Sequence, residues 1–146
     1  MNNKAINLIK KEYSEIRREP FPSLGISVGL KEENNYFKWR ISMFAPDDSI
    51  YKDGIFQLSI EFNEYYPQQK PIVKFITKIY HFYVSDEGDI NIPSLKNWNS
   101  NHSMRQVLSE IFALFYEPDI KLKIENENKR NNYKHKVEEW VSKYAK

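Results

Sequence analysis

The 146-residue sequence contains no cysteine. That absence removes disulfide bridges, thiolate metal sites and every thiol nucleophile at once. It also lacks any apolar run near the ~18 residues that a membrane-spanning helix needs. The stretch Met1 to Lys11 is polar and rich in Asn and Lys, without the apolar centre of a signal peptide, so the expectation is an intracellular protein, cytoplasmic or nuclear, with no membrane partner. Histidine is scarce: the three residues, at 81, 102 and 135, have no zinc-ligand spacing. "SDEGD" lacks the alternating ligands of a calcium loop, and neither metal nor cofactor is expected. Charge of one sign is lacking too, with 22 Lys and Arg against 20 Asp and Glu. Residues 1–18 hold five basic and two acidic residues, and residues 121–146 hold eight and four, so basic ends flank an acidic centre. Because acids alternate with these bases, they read as solvated helix faces, and no nucleic-acid partner is expected.

What is present is an ordinary apolar share, 40% hydrophobic and 15% aromatic, enough for one core and a single domain over residues 1–146. Ile6, Ile9, Tyr13 and Ile16 recur at steps of three and four with charges between them, which predicts an amphipathic helix ending before Pro20. Alternation takes over afterwards. Ile26, Val28 and Leu30, then Phe37, Trp39, Ile41 and Met43, then Phe56, Leu58, Ile60 and Phe62 follow the period of half-buried antiparallel strands. "KEENN" and "APDDSIYKDG" supply turn residues, and "IVKFI" supplies a fourth strand, so a meander sheet is expected. Met104, Val107, Leu108, Ile111, Phe112 and Phe115 predict a central helix, with Ser103 and Gln106 spaced as a capping box. Glu117, Pro118 and Asp119 would end it, and a polar stretch would lead to a last helix marked by Tyr133, Val137, Trp140, Val141 and Tyr144. The class is α+β, with helices on one side of a four-stranded antiparallel sheet.

Between Thr77 and Asn101 the periodicity stops for about two dozen residues, far longer than a usual connection. Tyr80, Phe82, Tyr83, Ile90, Leu95 and Trp98 predict an ordered loop. Tyr80, Phe82 and Tyr83 read as packing groups beneath the loop, and Asn91 reads as an amide that stabilises it. Ser85 and Ser94 are the nearest hydroxyls and Lys96 the nearest amine, and the histidine close in sequence to Ser85 is His81.

This order of elements resembles the ubiquitin-conjugating enzyme fold. "APDDSIYKDGIFQLSIEF", "YYPQQKPIVKFITKIYH" and "LKNW" followed by "SMRQVLSEIFALF" are similar to that family's characteristic stretches, and the likeness reaches "EEWVSKYA". In the family a histidine opens a His-Pro-Asn triplet, and the catalytic cysteine lies ten residues beyond it. The resemblance puts His81 at the histidine, Phe82 at the proline, Tyr83 at the asparagine and Asn91 at the cysteine. A carboxamide neither ionises near neutral pH nor offers a free lone pair, so it cannot take over from a thiolate.

The implied class is the catalytically inactive ubiquitin-conjugating enzyme variant, whose "IPSLKNWNSNHSMRQVLSEI"-like stretch is similar to this one. The implied partners are an active conjugating enzyme, in a heterodimer, and ubiquitin or a ubiquitin-like protein. Ser27 stands where some relatives contact ubiquitin on a strand surface. Gln68, with Asn99, Ser100 and Asn101, replaces the apolar loop tip and the Ser-Pro-Ala used for ligase docking, and polar tips do not fill an apolar groove. Two alternatives remain open: a diverged enzyme using a hydroxyl or amine, and a module that recognises peptides or ubiquitin.

Overall fold

The structure is a computed structural model and describes residues 3–21, 24–118 and 127–146. Helix α1 spans Asn3–Arg18. Four strands follow, β1 (Ile26–Leu30), β2 (Lys38–Phe44), β3 (Ile55–Glu61) and β4 (Ile72–Phe75). A one-turn helix, α2 (Pro93–Lys96), precedes α3 (Met104–Ala113), a 3-10 turn at Leu114–Tyr116 and α4 (Glu127–Tyr144). The expected connection over residues 119–126, with Asp119 in it, lies outside the described residues.

The strands form one antiparallel sheet in chain order, as a meander requires. Its register puts Val28, Ile41, Leu58 and Phe75 in one row, all buried, and the alternate residues on the opposite face. Asn34 and Asp53 take left-handed backbone angles, φ 63° and 70°, in the first two of the three strand connections, a conformation their short polar side chains tolerate. The helices cover the apolar face, and one contiguous core joins both layers. Trp39, fully buried, meets Tyr13 of α1 and Phe62 edge-on at 5.4 and 4.9 Å, contacts that contribute about 1 kcal/mol each beyond burial.

Two details depart from the periodicity. Ala5 occupies the buried place on α1 where Ile6 was expected, because the stripe runs through Ala5, Ile9 and Ile16 and leaves Ile6 at its border. At the other end of the central helix, the last turn tightens to a 3-10 geometry from Leu114. The Ser103 hydroxyl does cap α3, accepting from the Gln106 N–H at 3.2 Å.

Glu12 fastens these layers. One carboxylate oxygen accepts from the Met104 N–H at 2.8 Å, at the positive end of α3, and the other accepts from the buried Tyr66 hydroxyl. Burial raises the Glu12 carboxyl above the usual range, and the Tyr66 and Met104 hydrogen bonds lower it.

Gly88 closes the turn against the sheet. Its carbonyl accepts from the Phe75 N–H at 2.9 Å, its φ is +88°, and a Cβ there would lie 2.1 Å from the Phe75 carbonyl oxygen. Gly88→Ala should therefore destabilise the fold by roughly 3 kcal/mol, read from the urea midpoint. A loss below about 0.5 kcal/mol, the size of an ordinary surface substitution, would contradict this packing.

Candidate functional site

The long loop is held from both ends. At its start, the Ile76 and Thr77 N–H groups donate to the Gln57 carbonyl, while the Thr77 hydroxyl accepts from the Gln57 N–H at 2.8 Å. The Tyr51 hydroxyl then donates to the Tyr80 carbonyl at 2.5 Å. At its far end, the Trp98 indole donates to the Pro67 carbonyl at 2.8 Å, and Pro93 starts α2 at a position where a missing N–H costs nothing.

His81 sits between these anchors, buried, with its ring stacked at 5.9 Å on Tyr51. Its Nε2 lies 2.6 Å from the Leu114 carbonyl oxygen, and its Nδ1 is 3.0 Å from the Tyr83 N–H. A carbonyl can only accept and an N–H can only donate, so Nε2 carries the proton and Nδ1 supplies the lone pair. Burial pushes the imidazole down to about 4, against a smaller upward effect of the Leu114 bond. The ring is thus neutral near pH 7 with both nitrogens occupied, a brace rather than a base.

Tyr83 and Asn91 are brought together by the backbone: the Asn91 N–H donates to the Tyr83 carbonyl at 2.8 Å. The expectation that the Asn91 carboxamide stabilises the loop is corrected here. Its side chain is exposed and makes no hydrogen bond to the described residues, so the main chain does that work. Phe82 also departs from the reading as a group beneath the loop, being 43% exposed and stacked at 4.5 Å on Tyr133 of α4. Tyr80 packs on the same helix, 4.9 Å from Tyr133 and 5.4 Å from Trp140.

Asn91, Tyr83 and Lys96 lie on the rim between two clefts. One, of about 560 Å³, is completed by Glu110, Leu114 and Glu117, and the other, of about 540 Å³, by Lys70, Phe82 and Ile90. The groups along these two adjoining clefts, together a trough, do not form a nucleophile and its base. The Ser85 hydroxyl accepts from the Asp89 N–H at 3.0 Å within the Gly88 turn. The Ser94 hydroxyl is buried without a hydrogen-bond partner among the described residues. His102 lies near it, yet its Nδ1 reaches the Ser94 carbonyl at 3.1 Å, not the hydroxyl, and its Nε2 faces the Asn99 carboxamide at 3.3 Å. Lys96 is an exposed amine.

Gln68 and the segment Asn99–Asn101 share one exposed surface, because the Trp98 bond to Pro67 joins their loops. The Asn99 side chain accepts from the Asn101 N–H at 2.9 Å, closing a polar turn. Ser27 lies elsewhere, exposed on the sheet's outer face opposite Ser42.

With that geometry in view, the profile of the ubiquitin-conjugating enzyme family matches residues 8–146. The chain belongs to that family. It is similar to ubiquitin-conjugating enzyme E2 14 of Schizosaccharomyces pombe, 34% identical over 76% of this chain and 71% of the relative. A probable ubiquitin-conjugating enzyme E2 7 of Caenorhabditis elegans is 29% identical over 77% of this chain and 76% of its own. The probable ubiquitin-conjugating enzyme E2 L460 of Acanthamoeba polyphaga mimivirus is 29% identical over 100% of this chain and 98% of its own. The family's fold is therefore present in a chain without cysteine.

Two contributors to this family-type loop escaped sequence reasoning. The Leu114 carbonyl, which also accepts from the Glu117 N–H at the 3-10 turn, has no side-chain signature. Tyr133 was read as a core position of the last helix, and nothing in its spacing tells that Phe82 and Tyr80 rest on it.

The brace has a measurable pH signature. Between pH 6.5 and about 4 the unfolded chain binds a proton at His81 that the folded chain refuses. Its stabilising contribution is complete above pH 6.5 and falls as the pH drops toward 4, by about 3 kcal/mol in all. Urea midpoints across this window should therefore slope less in His81→Gln than in the wild type. Parallel slopes would contradict a neutral, buried His81.

Proposed function

We propose that this chain is a noncatalytic ubiquitin-conjugating enzyme variant that binds an active conjugating enzyme, ubiquitin or both, and assists transfer by positioning. The observation that carries this reading is Asn91, exposed on the rim of a well-braced trough at the place the resemblance assigns to the catalytic cysteine. Acyl transfer through an enzyme needs a side chain that attacks, holds the acyl group and then releases it. An amide nitrogen, conjugated with its own carbonyl, does none of these. Tyr83, at the place of the family's asparagine, puts a hydroxyl donor on a ring whose reach and direction differ from those of a fixed amide donor.

The surroundings support the same view. Both hydroxyls considered as substitutes are otherwise engaged or covered, and both loop histidines spend their ring nitrogens on backbone or amide partners. What is retained is shape: a trough that can orient a chain segment, and orientation alone accelerates a reaction carried by a partner's thiol. The polar surface of Gln68, Asn99, Ser100 and Asn101 supports loss of the family's apolar mode of ligase docking.

Titration of the isotope-labelled chain with ubiquitin and with a panel of conjugating enzymes tests this directly. We expect at least one of them to shift amide resonances and the resulting pair to build ubiquitin chains faster than the enzyme alone. Unchanged spectra against every member of the panel would remove the proposal.

A further inference from the structure

We propose that the ridge where α4 meets the long loop docks an acidic, extended segment of a partner protein, with Lys78, Lys136 and Lys143 as its anchors. Asn91 takes no part in this surface, so its use does not depend on the lost thiol. Five rings run along the ridge. Phe82 stacks on Tyr133 at 4.5 Å, Tyr133 meets Tyr80 at 4.9 Å, and Trp140 joins Tyr80 to Tyr144 at 5.4 and 5.5 Å.

Three ammonium groups sit on these rings. Lys136 lies 5.2 Å from the Tyr80 centroid, and Lys78 and Lys143 lie 5.3 and 5.2 Å from that of Tyr144. All three residues are exposed, and none pairs with a carboxylate of the described residues. Glu139, about one helical turn from both Lys136 and Lys143, forms an ion pair with neither. Ring contacts hold an ammonium in place without neutralising it. Two like charges are thus gathered at Tyr144 without a counter-ion, and a carboxylate brought by a partner relieves their repulsion.

Spacing and a neighbouring cleft describe the occupant. Lys136 and Lys143 are two turns apart on α4, about 10 Å along its axis, which an extended chain covers in about three residues. Beside Lys78 and Tyr144 a cleft of about 380 Å³ opens between α4 and the Gly88 turn, with Ile76 and Trp140 in its walls and Asp86 and Glu87 on the turn side. Its apolar wall suits one large apolar side chain. The two carboxylates of the turn repel acids, so the acidic stretch runs along α4. A single strand of nucleic acid needs open ring faces to stack on, and Tyr80 and Tyr144 already carry ammonium groups on theirs.

Panning a random 12-residue peptide display library against the full chain tests this, followed by binding of the synthetic consensus to the wild type, Lys136→Glu, Lys143→Glu and, on α1, Lys10→Glu. We expect a consensus that joins two or more Asp or Glu to one large apolar residue. Affinity should fall at least about fivefold in both α4 variants and stay unchanged in Lys10→Glu, all at the wild-type urea midpoint. Should a charge reversal alter folding, Lys136→Gln or Lys143→Gln takes its place under the same threshold. Absence of a consensus, a basic consensus, a smaller loss in either α4 variant or a comparable loss in Lys10→Glu overturns the proposal. So does self-association of the wild type that Lys143→Glu abolishes, or tighter binding of an oligothymidylate than of the consensus peptide, which assign the ridge to a second copy or to nucleic acid.

Discussion

The imidazole of His81 is where the loop, the sheet layer and the central helix meet. Its Nδ1 fixes the Tyr83 N–H, its Nε2 fixes the Leu114 carbonyl, and Tyr51 lies flat against its ring. A buried backbone N–H left alone costs about 1–3 kcal/mol, so the ring satisfies the Tyr83 N–H while its other nitrogen ties it to the Leu114 carbonyl, which also accepts from the Glu117 N–H. Burial keeps that partner neutral, and neutrality is what lets one nitrogen donate while the other accepts. The position of Tyr83, and through its carbonyl that of Asn91, follows from this bond.

Shape and chemistry are separable here for a physical reason. The loop is ordered by backbone groups, by the Thr77, Tyr51, His81, Ser85 and Trp98 side chains and by aromatic rings on α4, and among the described residues none of these contacts passes through the Asn91 side chain. The reactive position can therefore change without disturbing its frame. A thiolate there would be a nucleophile, whereas an amide is only a polar rim group. Phe82 and Tyr83 illustrate the cost of keeping the frame with other residues: Phe82 finds its packing on Tyr133 at the surface, and Tyr83 borders both clefts.

Much of this was legible in the sequence. Strands with one buried face announce themselves by alternation, and the cap of α3 by Ser103 ahead of Gln106, because those signals are local. The stripe of α1 was read correctly at Ile9 and Ile16 but begun one residue late, since a buried Ala5 leaves no hydrophobic mark as strong as Ile6. The loop was legible as ordered, but its supports were not: the Leu114 carbonyl and the Tyr133 ring are far away in the chain, and periodicity carries no record of such contacts.

The central claim is that no side chain of this loop accepts an acyl group. Intact-mass measurement after incubation with activating enzyme, ATP and ubiquitin addresses it most directly, with Asn91→Cys as the loaded comparison. The account predicts an unchanged mass for the wild type and a reductant-labile ubiquitin on the cysteine variant. Ubiquitin bound covalently to wild-type Asn91, Ser85, Ser94 or Lys96 would contradict it.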